Sequence, residues 1–324
     1  MFGYHQKYLK IDVETGASFE VPIPSEVSRK FIGGVGLGAW ILFRESKQGM
    51  NSLAPEAPLI FCFSPLVGTP LTTSAKFAVL AKSPLTNRIS DALSSSHFAI
   101  EAKKTGFDAI VITGRSATKR IVIIEEGKVT LQNADDLQGL SALATSEKLH
   151  TRLAAGFQIA AIGLAGENQV LFANLSHERR HAGRGGLGAV LGSKNIKAIA
   201  VKGSTRMAVA FPAKLVEKAR ELSAKSFGPA TAKYRELGTV SNLLVFNRLS
   251  VLPTRNFQEG HFAAIDKQDF QEVDKAAKIT RHSCAACTIG CEHIYESKLG
   301  KVRIEYESMF ALGSLCGIES AEDI

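Results

Sequence analysis

Six short runs between residues 59 and 203 set the terms on which this chain folds. LIFCF (59 to 63), FAVLA (77 to 81), DAIVITG (108 to 114), IVIIEEGKVTL (121 to 131), FQIAAIG (157 to 163) and IKAIAVKG (196 to 203) are rich in Val, Ile and Phe and are bounded by Gly, Pro, Ser or Asn. Runs of that length and composition suit strands rather than helices. Glu126-Gly127 splits the fourth run into two strand-like halves, which predicts a hairpin. Helical periodicity shows at 137 to 153 and 213 to 226, and strand signals nearly disappear after residue 210. The predicted class is α+β. A length of 324 residues suits roughly two domains of about 100 to 200 each. The boundary falls between a β-rich N-terminal domain, 1 to 208, with flanking helices, and an incomplete helical domain, 209 to 324.

The most specific chemical signal is RHSCAACTIGCEH, residues 281 to 293, which gathers three of the five cysteines as C-x2-C-x3-C. The opening MFGYHQKYLK lacks the apolar core of a signal peptide, so a cytoplasmic, reducing location is expected, where such a cluster binds metal rather than forming disulfides. The sulfurs of Cys284, Cys287 and Cys291 can fill three corners of an iron–sulfur cubane and leave the fourth to a distant residue. Zinc stays open as an alternative, with His282 or His293 completing a Cys3His set at a non-standard spacing. Cys62 and Cys316 read as packing thiols.

No apolar run reaches the length of a membrane helix. The formal charge of +8 is spread along the chain without a basic stripe, so neither a membrane nor a nucleic-acid partner is indicated. Three glycine-rich stretches, GGVGLG (33 to 38), GLAGEN (163 to 168) and HAGRGGLG (181 to 188), read either as tight turns or as sites where backbone approaches an anion. The stretch from 72 to 98 combines Lys76, Lys82 and Arg88 with three serines in a surface loop. Ser320 followed by Asp323 resembles a capping box, which predicts a helix starting where the sequence stops. In RIEYESMFALG a helix would point Glu305 and Glu307 about 200° apart, so they cannot act as a pair.

Together, and in this order, YLKIDVETG, AKSPLT, TGFDAIVITG, AAIGLAGEN, AGRGGLGAVLGSKNIKAIAVKG, LPTRNFQEG, CAACTIGC and EYESMFALG resemble the N-terminal half of the aldehyde:ferredoxin oxidoreductase family. The resemblance implies two twisted sheets that form a base for a tungsten (or molybdenum) bis-pterin, followed by helical domains. It implies oxidation of a small aldehyde to a carboxylic acid, with electrons leaving through a [4Fe-4S] cluster to ferredoxin. Cys284, Cys287 and Cys291 match the local cluster ligands. His181, Ala182, Gly183 and Arg184 match a loop that contacts pterin and a bridging Mg2+, and Glu307 matches a glutamate close to the metal.

The family pattern is altered at two places. Lys76 stands where an arginine is usual, keeping charge but losing a bidentate fork. Leu93, Ser94, Ser95 and Ser96 replace an Asn-Ser-Gly-Gly loop, so a magnesium ligand there must be a backbone carbonyl or a serine. Family members are much longer, and the resemblance places the fourth cysteine and the second pterin segments in the absent half. The expectation is an N-terminal portion completed by a C-terminal half or a complementary subunit of a split enzyme. The alternative is a non-catalytic metal-binding module that carries electrons or acts as a scaffold.

Overall fold

A computed structural model describes residues 1–268, 278–297 and 300–324. The chain divides into two compact units, Met1–Val216 and Glu217–Ile324. The first holds two six-stranded sheets, so the α+β reading with two sheets holds.

Sheet one is built from β1 (Lys7–Asp12), β2 (Ser18–Pro22), β3 (Leu59–Phe63), β4 (Lys76–Lys82), β5 (Ile89–Ser95) and β6 (Ala109–Thr113), in the order β2-β1-β6-β3-β4-β5. The continuous apolar runs LIFCF and AIVIT are buried on both faces, which places β3 and β6 in the middle of the sheet. Sheet two comprises β7 (Arg120–Glu125), β8 (Lys128–Asn133), β9 (Gln158–Ala161), β10 (Leu175–His177), β11 (Arg180–Ala182) and β12 (Ile196–Lys202), ordered β11-β10-β9-β12-β7-β8. The β7–β8 hairpin turns at Glu126 and Gly127, both with positive φ, as a turn matched to strand twist requires.

Around the sheets lie α1 (Ser25–Phe31), α2 (Gly34–Glu45), α3 (His97–Lys104), α4 (Ala142–Arg152), α5 (Leu164–Glu167) and α6 (Leu187–Gly192). One core joins the sheets: Phe61, Phe77, Val79 and Ile110 meet Val122, Ile124, Ile199 and Val201, together with Phe98 of α3 and Val190 of α6. The outer face of sheet one packs Ile60, Leu80 and Val111 on Leu37 and Ile41 of α2. GGVGLG is therefore a packing device, because a Cβ on Gly38 would collide with Leu80. The outer face of sheet two packs Ile123, Ile159 and Ala200 on Leu149 of α4, whose start is set by the Ser141 hydroxyl accepting from Ala144 N at 3.1 Å.

α7 (Pro212–Ser226) follows the predicted periodicity. The second unit continues with α8 (Ala232–Leu237), α9 (Asn242–Arg248), the antiparallel sheet β13 (Lys278–His282), β14 (Glu292–Ser297) and β15 (Gly300–Ile304), and α10 (Tyr306–Leu312). This sheet is an addition to the helical reading of 209 to 324. Its first strand, KITRH, is exposed throughout and its only deeply buried apolar anchors are Tyr295 and Ile304, so no alternating pattern announces it. At the end of the chain the Ser320 hydroxyl accepts from Glu322 N at 3.1 Å within a turn, in place of the predicted cap to Asp323. Among the described residues no helix is long and apolar enough to cross a membrane.

Candidate functional site

Two groups of the sequence-predicted residues assemble, one in each unit. The first lies where the edge strands β5 and β11 of the two sheets come together. Lys76 opens β4 opposite Ser95, and Leu93 is opposite Ala78. The expected serine loop is instead the end of a strand and the cap of α3. Ser94, Ser95 and Ser96 are buried, while Leu93 is exposed. Hydroxyls fit there because they bond across to the other sheet: Ser94 Oγ donates to the His181 carbonyl at 3.2 Å, and Ser96 Oγ meets His177 Nδ1 at 2.7 Å.

β10 and β11 are joined by Glu178-Arg179, both with positive φ although neither is glycine. Such residues cost about 1 kcal/mol or more each in the left-handed region. His97 holds the turn by donating its backbone N–H and Nδ1 to Glu178 Oε2 at 3.0 and 3.1 Å. Ala182 closes β11 and is buried; beyond it Gly183 faces open space and Arg184 is exposed. Gly185 and Gly186 have φ of +75° and +72°, and a Cβ on either would strike Ser90 Oγ or the Leu171 carbonyl. Neither the Lys76 nor the Arg184 side chain has a hydrogen-bond or ion-pair partner among the described residues.

His177 escaped the sequence reading. It is 2% exposed, packs edge-on to Phe77 at 5.0 Å, and among the described residues neither its Nε2 nor the buried Ser95 hydroxyl has a hydrogen-bond partner. Burial first, then His181 and Arg180, push its pKa down to about 3. No local signal marks it, since three-residue strands around a glycine-free turn leave no hairpin pattern.

The second group lies in the loop between β13 and β14, with Cys284, Cys287 and Cys291 all half-buried. A turn in which Cys287 N donates to the Cys284 carbonyl at 3.1 Å, with Ala286 and Gly290 at positive φ, folds the loop back on itself. Burial, then Glu305, Cys284 and Cys287, push the Cys291 thiol up to about 11. The thiols therefore feel one another's charge, although among the described residues no three His, Cys, Asp or Glu side chains converge on a common ligand point. Soft thiols at this spacing fit an iron–sulfur cluster or zinc.

Each zinc rival has one ring nitrogen engaged elsewhere, while His293 Nδ1 is buried without a partner among the described residues. His282 Nδ1 donates to Glu292 at 2.9 Å, and His293 Nε2 to the Arg235 carbonyl at 3.1 Å. Glu305 is the N-cap of α10, sharing a capping box with Ser308, whereas Glu307 lies exposed in its first turn. Cys62 is buried and its thiol is pushed up to about 12 by that burial, which leaves it inert. Cys316 is exposed rather than packed.

Comparison with known proteins brings the two groups under one heading. Residues 8–203 match the aldehyde ferredoxin oxidoreductase N-terminal domain, and 214–324 match domains 2 and 3 of the same family. The tungsten-containing aldehyde ferredoxin oxidoreductase of Pyrococcus horikoshii is 36% identical over 333 residues, covering all of this chain and 54% of that protein. The same enzyme of Thermococcus kodakarensis is 34% identical, with 100% and 54% covered. An aliphatic sulfonate oxidoreductase, WOR-like subunit, of Pyrococcus furiosus is 28% identical, with 100% and 55% covered. The active site complex BamBC of benzoyl coenzyme A reductase, solved with 1,5-dienoyl-CoA, superposes with a TM-score of 0.79 at 25% identity, covering 97% of this chain and 51% of that one. This chain spans about half the length of the curated relatives it matches. With one family model accounting for residues 8–203 and a second for 214–324, the chain belongs to the aldehyde ferredoxin oxidoreductase family.

Proposed function

We propose that this chain is the cofactor-carrying N-terminal portion of a tungsten (or molybdenum) bis-pterin oxidoreductase that oxidises aldehydes to carboxylic acids and passes electrons through a [4Fe-4S] cluster to ferredoxin. The observation that carries this reading is the gathering of Lys76, Leu93, Ser94 and Ser95 with His181, Ala182, Gly183 and Arg184 where β5 meets β11. The exposed Lys76 and Arg184 side chains, without partners among the described residues, suit the phosphates of a pterin, with Arg184 offering a planar fork. Gly183 leaves room for close approach of a ring, and the Ser94 and Ser95 hydroxyls or the Leu93 carbonyl are the donors on hand for Mg2+. When bound, the metal held by pterin sulfurs supplies the two-electron chemistry. Glu307 is the carboxylate assigned to orient water or hold a proton. Cys284, Cys287 and Cys291 hold three corners of the cluster, the fourth ligand coming from outside this chain.

Tungsten, molybdenum, iron and zinc quantified in the anaerobically purified protein, with EPR after reduction, test the assignment. Stoichiometric tungsten or molybdenum with a cubane signal is expected. Zinc alone, with no signal, overturns it and returns the reading to a metal-binding scaffold. The names aliphatic sulfonate oxidoreductase and benzoyl coenzyme A reductase make those substrates the comparison arms: once this chain is combined with the C-terminal half or complementary subunit, aldehyde-dependent dye reduction is expected, and turnover of a sulfonate or an acyl-CoA alone would reassign the substrate.

A further inference from the structure

The cysteine loop is closed at its base by one buried carboxylate. His282, the last residue of β13, stands opposite Glu292, the first of β14, so residues 283 to 291 form the tip of a hairpin. The Glu292 side chain is only 4% exposed. Its Oε2 accepts from His282 Nδ1 at 2.9 Å and its Oε1 from Arg303 Nη1 at 2.9 Å, so one carboxylate ties all three strands together. A carboxylate this deeply buried needs hydrogen-bond donors on its oxygens, and here the Arg303 guanidinium adds a permanent positive charge. Two further ties reach the loop: the Cys291 carbonyl accepts from Thr239 N at 3.4 Å, and Thr288 Oγ1 bonds Ser226 Oγ.

We propose that Glu292 is the positioning residue of the thiol triad, clamping β13 and β15 onto β14 so that Cys284, Cys287 and Cys291 are presented on a fixed hairpin tip. This rests on the reading of those cysteines as cluster ligands. The physical basis is that a metal centre depends on groups that orient its ligands without touching the metal, and their loss costs about 10- to 100-fold in affinity. His282 is exposed and Arg303 partly so, while Glu292 is sealed beneath them, so the clamp is anchored in the sheet at its carboxylate and reaches solvent at its histidine.

The test uses Glu292→Gln, which preserves shape but replaces one of the two acceptor oxygens with an NH2 donor and so breaks one strand tie, and His282→Gln, which removes one donor at the accessible end. Iron release to a chelator is timed in the anaerobically loaded protein, and amide hydrogen exchange of residues 283 to 291 is read in the metal-free protein. Glu292→Gln is expected to speed both by about tenfold or more, and His282→Gln by a smaller factor, with exchange in Met1–Val216 unchanged. Parent-like iron release and parent-like loop exchange in both variants would overturn the proposal. Should Glu292→Gln not fold, His282→Gln alone decides by the same two readouts. If the parent protein binds no iron, the cluster reading fails, while loop exchange in the metal-free protein still accepts or rejects the clamp.

Discussion

At the scale of single residues, the seam between the sheets turns on His177. A histidine with a folded pKa of about 3 against an ordinary value of 6.5 binds fewer protons in the folded than in the unfolded state between those limits. Its contribution is therefore neutral above pH 6.5 and increasingly destabilising as pH falls toward 3, at up to about 1.4 kcal/mol per pH unit. His177→Phe, which suits the box formed by Phe77 and Phe98, should lose that slope, so denaturant midpoints at pH 7 and pH 5 should differ less in the variant than in the parent. An equal difference in both would show that His177 titrates normally. The serines beside it illustrate how much a single residue type conceals. Three in a row read as a surface loop, yet here each is buried, and two of them bond the opposite sheet.

At the scale of elements, glycines and buried ion pairs decide how the loop after β11 and the helices near it sit. Gly186→Ala places a Cβ against the Leu171 carbonyl at a φ of +72°, which should cost about 1 to 3 kcal/mol, whereas Gly183→Ala meets only open space and should stay within about 0.5 kcal/mol of the parent. Equilibrium unfolding of the two variants distinguishes them, and equal losses would show that the loop relaxes. The second device is Glu167 at the end of α5, which bonds Lys119 at 2.7 Å and the fully buried Lys197. Removing its charge leaves Lys197 uncompensated, so Glu167→Gln should destabilise by about 3 kcal/mol or more, in contrast to any exposed pair. A loss below 1 kcal/mol would mean that the Leu140 carbonyl, which Lys197 also reaches at 2.7 Å, suffices. GLAGEN, read from sequence as a turn or an anion loop, thus has an electrostatic anchor that its glycines do not reveal.

At the scale of the whole molecule, the two candidate centres lie in separate compact units, so stripping metal should be felt unequally. Chelator-treated protein is expected to lose hydrogen-exchange protection around residues 278–297 while the sheets of Met1–Val216 keep theirs; uniform loss across both units would contradict this. The sequence by itself determined β3, β4, β6, β9 and β12, the β7–β8 hairpin, α4 and α7, because apolar period and turn chemistry act over a few residues and are written where they act, whereas β1, β2, β5, β10 and β11 carry no such run. It also determined the cysteine spacing and, through collinear motifs, the family. Tertiary structure alone decided three things: that Ser94 would meet His181 across 87 residues, that His177 would be sealed beside Ser96, and that β13 to β15 would pair around Glu292. Those contacts join segments whose own patterns are polar, short or exposed. Their stability comes from long-range pairing and shared burial, which no local window of residues encodes.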